Sequence, residues 1–124
     1  MLSRACPAFF RDNASMTKLS TAAVLFAAAA LEAGGDALIR IGLRQHTGVA
    51  RGIFLLGGAL ILFAYGLTVN APAWDFGCLL GIYVVFFFVV AQLISTIVFH
   101  QPPSRFGLAG GALIIAGGCV LALG

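Results

Sequence analysis

The sequence predicts an all-α integral membrane protein with four transmembrane helices. Of its 124 residues, 61% are hydrophobic and only 9% are charged, whereas a soluble domain carries about a quarter charged residues. A water-soluble fold would therefore have too little polar surface to present to solvent. Four apolar stretches come close to the roughly 20 helical residues that cross a hydrocarbon core. The predicted spans are residues 19–43, 52–69, 76–99 and 106–123.

Residues 1–18 are predicted to form a flexible extension before the first span. This segment is polar and mixed in charge, and Pro7 interrupts any continuous helix. A signal peptide with Lys18 as its basic flank is the alternative, but the apolar character continues well beyond such a peptide's core. Met16, just before the first span, is a second candidate translation start.

The first span contains two acids, which are the strongest functional signal in the chain. Glu32 lies near its middle, and Asp36 and then Arg40 follow at intervals of one helical turn. An ionised side chain at that depth costs at least about 2.5 to 3.5 kcal/mol, so such residues usually line a protein interior or a water-filled cavity. Two alternatives stay open: Asp36 pairs with Arg40, or Glu32 is a neutral acid bonded to a neighbouring helix. Glu32 is the leading candidate site residue.

Each of the next two spans carries one tyrosine, and the tyrosine of span two is placed to face a neighbouring helix. Tyr65 shares a face of span two with Gly58, and its alternative role is that of an aromatic anchor at the membrane surface. Span three is the most aromatic part of the chain, and Tyr83 and Phe87 fall on one face of it.

The fourth span carries no charge and has glycines along most of its length. Glycine surfaces let helices approach closely in lipid, where the hydrophobic effect does not drive association. The sequence therefore predicts that this span forms a dimer interface. The predicted interface glycines are Gly107, Gly110, Gly111, Gly117 and Gly118.

Four short spans, the segment AALEAGGDALIRIGL and the ending GGALIIAGGCVLAL together resemble the small multidrug resistance family, within the drug/metabolite transporter superfamily. Glu32 matches the family's proton- and substrate-binding glutamate, and Pro72 fits its loop-two proline. The positions that match its fourth-helix dimerisation pattern are Gly110, Leu113, Ile114 and Gly117. The resemblance covers roughly residues 19–124. It implies a bacterial plasma membrane protein that exports cationic or amphipathic small molecules in exchange for protons. The working unit would be a homodimer or a pair with a homologous small membrane protein.

The third span departs from the family's pattern. Tyr83 stands for the family's tyrosine beside the glutamate, whereas Phe86 replaces its tryptophan. Phe88 and Val90 occupy the positions of its hinge glycines. Without these glycines the chain departs from the family at its alternating-access hinge. With the additional Asp36 it departs from the family in a residue that affects the choice of substrate. The site residues that the resemblance and the residue pattern together imply are Glu32, Asp36, Tyr65, Tyr83 and Phe86.

Other classes of function fit the sequence poorly. Both histidines lie in predicted loops, with no serine or cysteine paired for nucleophilic catalysis, so we expect no enzyme. The three cysteines contain no C-x-x-C pair, and neither a metal site nor a cofactor is predicted. The net charge of +3 is small and scattered, which does not suggest a nucleic-acid partner. The alternative to a transporter is an accessory or structural membrane subunit that assembles through its glycine-rich fourth helix.

The loop charges predict mixed insertion of the full chain. An excess of Lys and Arg marks the cytoplasmic side, but here three basic residues on one side oppose four on the other. The three are Arg4, Arg11 and Lys18, and the four are Arg40, Arg44, Arg51 and Arg105. Such a near balance allows an antiparallel pair. A start at Met16 would leave Lys18 alone against the four and favour one orientation.

Overall fold

The computed structural model describes residues 15–71 and 76–123, and these form four long helices with no β-strand in either range. The helices are α1 (Ser15–Gln45), α2 (Gly48–Val69), α3 (Phe76–Ile97) and α4 (Arg105–Leu123). Each contains a stretch long and apolar enough to cross a membrane. The predicted all-α fold with four transmembrane helices is confirmed.

The helix ends differ from the predicted spans by a few residues. Helix α1 begins at Ser15, inside the predicted extension, and continues to Gln45. Residues 1–14 and Pro72, on which two sequence predictions fall, lie outside the described residues. Helix α3 stops at Ile97, shortly before His100, which has a φ of 55°. This left-handed conformation cannot continue a right-handed helix.

Helix α1 holds the bundle together, because it packs against both α2 and α3, and α4 then packs against α3. The small buried core joins Leu25, Ala28 and Ala29 of α1 to Leu79 and Ile82 of α3. Many large apolar side chains on the four helices face outward instead. That distribution suits a bilayer, in which lipid chains rather than water cover the outer surface.

Glycines set the distance between α1 and α2. A Cβ added to Gly58 would lie 2.6 Å from Cγ1 of Ile39 and 2.9 Å from the Gly35 carbonyl oxygen. A Cβ on Gly35 would meet Cγ of Leu62 at 2.9 Å. Neither position has room for a side chain, so the two backbones approach closely as membrane helices with small residues do. This contact fixes which residues of α2 face the acids of α1.

Glycines of α4 also make room for large side chains of α3. An added Cβ on Gly111 would overlap the Phe88 ring, and one on Gly118 would overlap Val85. Phe88, which stands where the resembled family has a hinge glycine, therefore fills a space that α4 provides. The prediction that Gly111 and Gly118 meet a second chain is corrected, since α3 of the same chain covers both.

The remaining glycines of α4 have other surroundings. Gly110 and Gly117 have no atom within 4 Å of an added Cβ in the described part of the chain. Their face is therefore open. Gly107 belongs to the start of the helix, where its N–H donates to the Ser104 hydroxyl at 3.1 Å. Ser104 thus acts as the helix N-cap, and this contact needs no partner helix.

Candidate functional site

The site is centred on a hydrogen bond between α1 and α3. The hydroxyl of Tyr83 donates to Oε2 of Glu32. Tyr83 is only 4% exposed, and Glu32 is partly buried. A hydrogen bond shielded from water in this way is electrostatically stronger than one in solvent. It gives the carboxylate a fixed position within the bundle.

Tyr65 brings α2 into the same site. Its ring centroid lies 5.8 Å from that of Tyr83, with the ring planes inclined at 32°, and its phenol also borders Glu32. The Gly35–Gly58 contact explains this placement. Tyr65 follows Gly58 by two helical turns on the same face, and Glu32 precedes Gly35 by about one turn in the antiparallel helix. Three helices thus converge on one carboxylate.

Phe87, rather than Phe86, supplies the aromatic ring next to Tyr83 on α3. The Phe87 ring centroid lies 6.3 Å from that of Tyr83. Phe86 and Phe87 both pack against the core cluster that contains Tyr83. The spacing of four residues from Tyr83 to Phe87 places both on one helical face. The spacing in the sequence predicts this shared face, but the resemblance to the family's pattern favours Phe86 at the tryptophan position.

A cleft of about 470 Å³ lies between α1 and α3, next to the Glu32 site. Ala33, which follows Glu32, and Phe87, which contacts Tyr83, both line it. The cleft runs from there toward the C-terminal ends of α1 and α3, where Arg44 and Gln101 line it. The Glu32 site and the cleft are therefore adjacent along the bundle axis.

The charged residues of the cleft do not neutralise one another. Asp36 and Arg40 are both exposed and both line the cleft, but the structure forms no salt bridge between these two described residues. The guanidinium carbon of Arg40 instead lies 5.4 Å from the Phe99 ring centroid, within the range of a cation–π contact. The open alternative of a local Asp36–Arg40 pair is therefore not what the structure contains.

The mouth of the cleft is shaped by a reciprocal contact at the end of α3. The Ser95 hydroxyl donates to the Gln101 carbonyl at 2.9 Å, and the Gln101 N–H donates to the Ser95 carbonyl at 2.9 Å. The left-handed backbone at His100 lets the chain turn back in this way. Neither Phe99 nor Gln101 was predicted as a site residue, because a cleft formed by a loop has no helical periodicity to reveal it.

The fold and the polar groups between its helices define a class: a small, multi-pass integral membrane protein with a carboxylate hydrogen-bonded between two of its helices. The chain is 32% identical over 103 residues to the UPF0060 membrane protein of Kineococcus radiotolerans, a match that covers 82% of this chain and 90% of that protein. It belongs to the UPF0060 membrane protein family. No family model matches the sequence, and no solved structure matches it.

Proposed function

We propose that this protein is a small proton-coupled transporter that exports cationic or amphipathic small molecules, and that Glu32 is the group at which exchange occurs. The observation that carries the proposal is the hydrogen bond from Tyr83 to Glu32, with Tyr65 beside it. Acids inside membrane spans are rare and mark ion or substrate pathways. Polar groups from three helices that converge on one such acid suit a binding site better than a lipid-facing surface.

The proposed exchange uses one carboxylate for two ligands. A proton and a cation both neutralise Glu32, so the binding of one favours release of the other. The phenol of Tyr83 keeps the carboxylate oriented, and the rings of Tyr65 and Phe87 offer faces to which an organic cation is attracted. The resemblance to the small multidrug resistance family supports these roles.

We further propose that the working unit is a pair of chains, formed with a second copy or with a homologous small membrane protein. The bundle is thin, since α4 packs on α3 alone among the helix contacts that define the fold. The open face of Gly110 and Gly117 is a suitable surface for a partner helix. Pairing would enclose a path from Glu32 that one chain leaves open.

Transport in proteoliposomes tests the proposal. An outward-directed gradient of protons should drive the uptake of hexyltrimethylammonium by the wild-type protein, since this cation carries a fixed charge and does not titrate. Glu32→Gln should lower that uptake to the level of empty vesicles. Cys119→Ser is the matched control, because Cys119 is exposed on α4, away from the α1–α3 site. The proposal fails if Glu32→Gln retains wild-type uptake with wild-type pH dependence.

A second candidate function is that of an accessory subunit that assembles through α4. The open glycine face of that helix favours it. In that case Gly110→Leu and Gly117→Leu should release a partner protein in a pulldown from native membranes, while the purified chain alone should transport no cation. Glu32→Gln would then matter only if it altered the complex.

A further inference from the structure

We propose that the cleft beside Glu32 selects zwitterionic amphiphiles: substrates that carry an anionic group at a distance from their cationic end. This inference rests on the proposed transport function and specifies its substrate class. It stands on the order of charges along α1, on the absence of pairing between them and on the apolar floor of the cleft.

The charges of α1 are ordered along the bundle axis. Glu32, Asp36, Arg40 and Arg44 follow one another at intervals of four residues, or about 6 Å of helix rise per step. The last three line the cleft. The acids are therefore at the inner end, next to the Tyr83 contact, and the arginines are at the outer end, next to the helix terminus at Gln45.

These charges remain free to meet a ligand. Asp36 and Arg40 are exposed and form no salt bridge with each other in the described structure, and the contact of Arg40 with Phe99 leaves its N–H donors uncommitted. The polar groups that α3 and the following loop place on the cleft, Ser95 and Gln101, are neutral. The charged lining therefore consists of one acid and two bases.

This lining disfavours a simple cation and favours a molecule with two opposite charges. A cation that enters from the outer end meets two guanidinium groups before it reaches an acid. A zwitterion can place its anionic group on Arg40 and Arg44, since guanidinium groups match carboxylate and phosphate geometry. Its cationic end can then reach Asp36 and Glu32.

The space between the two ends suits an apolar connecting chain. Phe87, Ala91 and Ile94 line the cleft from α3, and Ala37 and Ile39 line it from α1. The cleft volume of about 470 Å³ falls within the range of small-molecule sites. A substrate with an alkyl or aromatic segment between its charges would cover this apolar surface.

A matched pair of probes tests the inference. Hexyltrimethylammonium and ω-(trimethylammonio)hexanoate share the cation and the chain, and only the second carries a carboxylate. In proteoliposomes with the full chain, we expect the zwitterion to have a KM about tenfold lower, as one charge-assisted hydrogen bond would provide. Arg40→Gln and Arg44→Gln should each reduce this difference, and the double variant should remove it. In the single variants and in the double variant, the uptake of hexyltrimethylammonium should still depend on Glu32.

Two arginines provide matched controls for loss of charge. Arg51 and Arg105 are exposed at the first turns of α2 and α4, on the same side of the bundle, and do not line the cleft. Arg51→Gln and Arg105→Gln should preserve the tenfold difference. Arg40→Lys and Arg44→Lys should keep part of it, which separates loss of the anion contact from failure to insert.

The outcomes separate this inference from the transport proposal. Equal KM values for the two probes in the wild-type protein would overturn the inference, as would a difference that survives the double Arg40→Gln and Arg44→Gln variant. Glu32-dependent uptake of hexyltrimethylammonium would leave the transport proposal standing in both cases. If neither probe is moved in a Glu32-dependent way, the transport proposal fails and the inference fails with it.

Discussion

Tyr83 of α3 donates its hydroxyl proton to the carboxylate of Glu32 on α1, and this contact joins two helices at an acid inside the membrane span. The bond gives a partly buried acid a direct polar partner on a neighbouring helix. It also gives the site a defined geometry. We expect this contact to contribute both to the stability of the bundle and to the orientation of the carboxylate.

A double-mutant cycle measures the stability part of that expectation. Glu32→Leu and Tyr83→Phe should each lower the thermal unfolding temperature in detergent, and their effects should not add, because either change removes the same bond. Interhelical hydrogen bonds in membrane proteins contribute about 0.5 to 2 kcal/mol, so a coupling energy in that range is expected. The cycle with Tyr65→Phe is the control and should give the smaller coupling. Additive effects of Glu32→Leu and Tyr83→Phe would contradict the assignment.

The four spans could be predicted from composition and length, because a membrane helix must satisfy its backbone internally and be apolar over about 20 residues. Glu32 could be singled out for the same reason: an acid in such a segment is costly. The partners of the acid were harder to predict. Tyr65 had interfacial anchoring as an alternative role, and only the packing of α1 against two helices brings it and Tyr83 to one carboxylate.

Alanine substitutions at two adjacent glycines of α2 test the packing of α1 against α2. Gly58→Ala places a Cβ against Ile39 and the Gly35 carbonyl, so it should destabilise the protein by about 1 to 3 kcal/mol, as overpacking does. Gly57→Ala, one residue earlier, points into open space and should be neutral or stabilise by about 0.5 to 1 kcal/mol through lower backbone entropy. Thermal unfolding of the two variants makes the comparison. Equal effects would mean that the helices do not meet at Gly58.

Substitutions at two adjacent glycines of α4 distinguish helix packing within one chain from association between two chains. Gly117→Leu fills an open face and should convert dimers to monomers while the unfolding temperature stays close to that of the wild type. Gly118→Ala collides with Val85 of the same chain and should lower the unfolding temperature instead. Mass measurement in detergent and thermal unfolding report the two effects. A Gly117→Leu variant of unchanged dimer mass would reject the open glycine face as an interface.

The partners of the two glycine faces of α4 could not be predicted from the sequence. Glycine spacing identifies helix surfaces suited to close approach, but it does not say which helix approaches. Phe88 and Val85 decide the matter in the structure, because their side chains fill the spaces above Gly111 and Gly118. The cleft was missed for a related reason. Phe99 and Gln101 reach it through a turn at His100, and no periodic pattern records such a turn.

Proton release upon cation binding tests the central claim most directly. Hexyltrimethylammonium added to the wild-type protein in weakly buffered detergent solution should release protons, because the cation and the proton compete for Glu32. Glu32→Gln should release none, whereas Cys119→Ser should match the wild type. If cation binding releases no proton from the wild-type protein, or if Glu32→Gln binds the cation with undiminished proton release, Glu32 is not the exchange group.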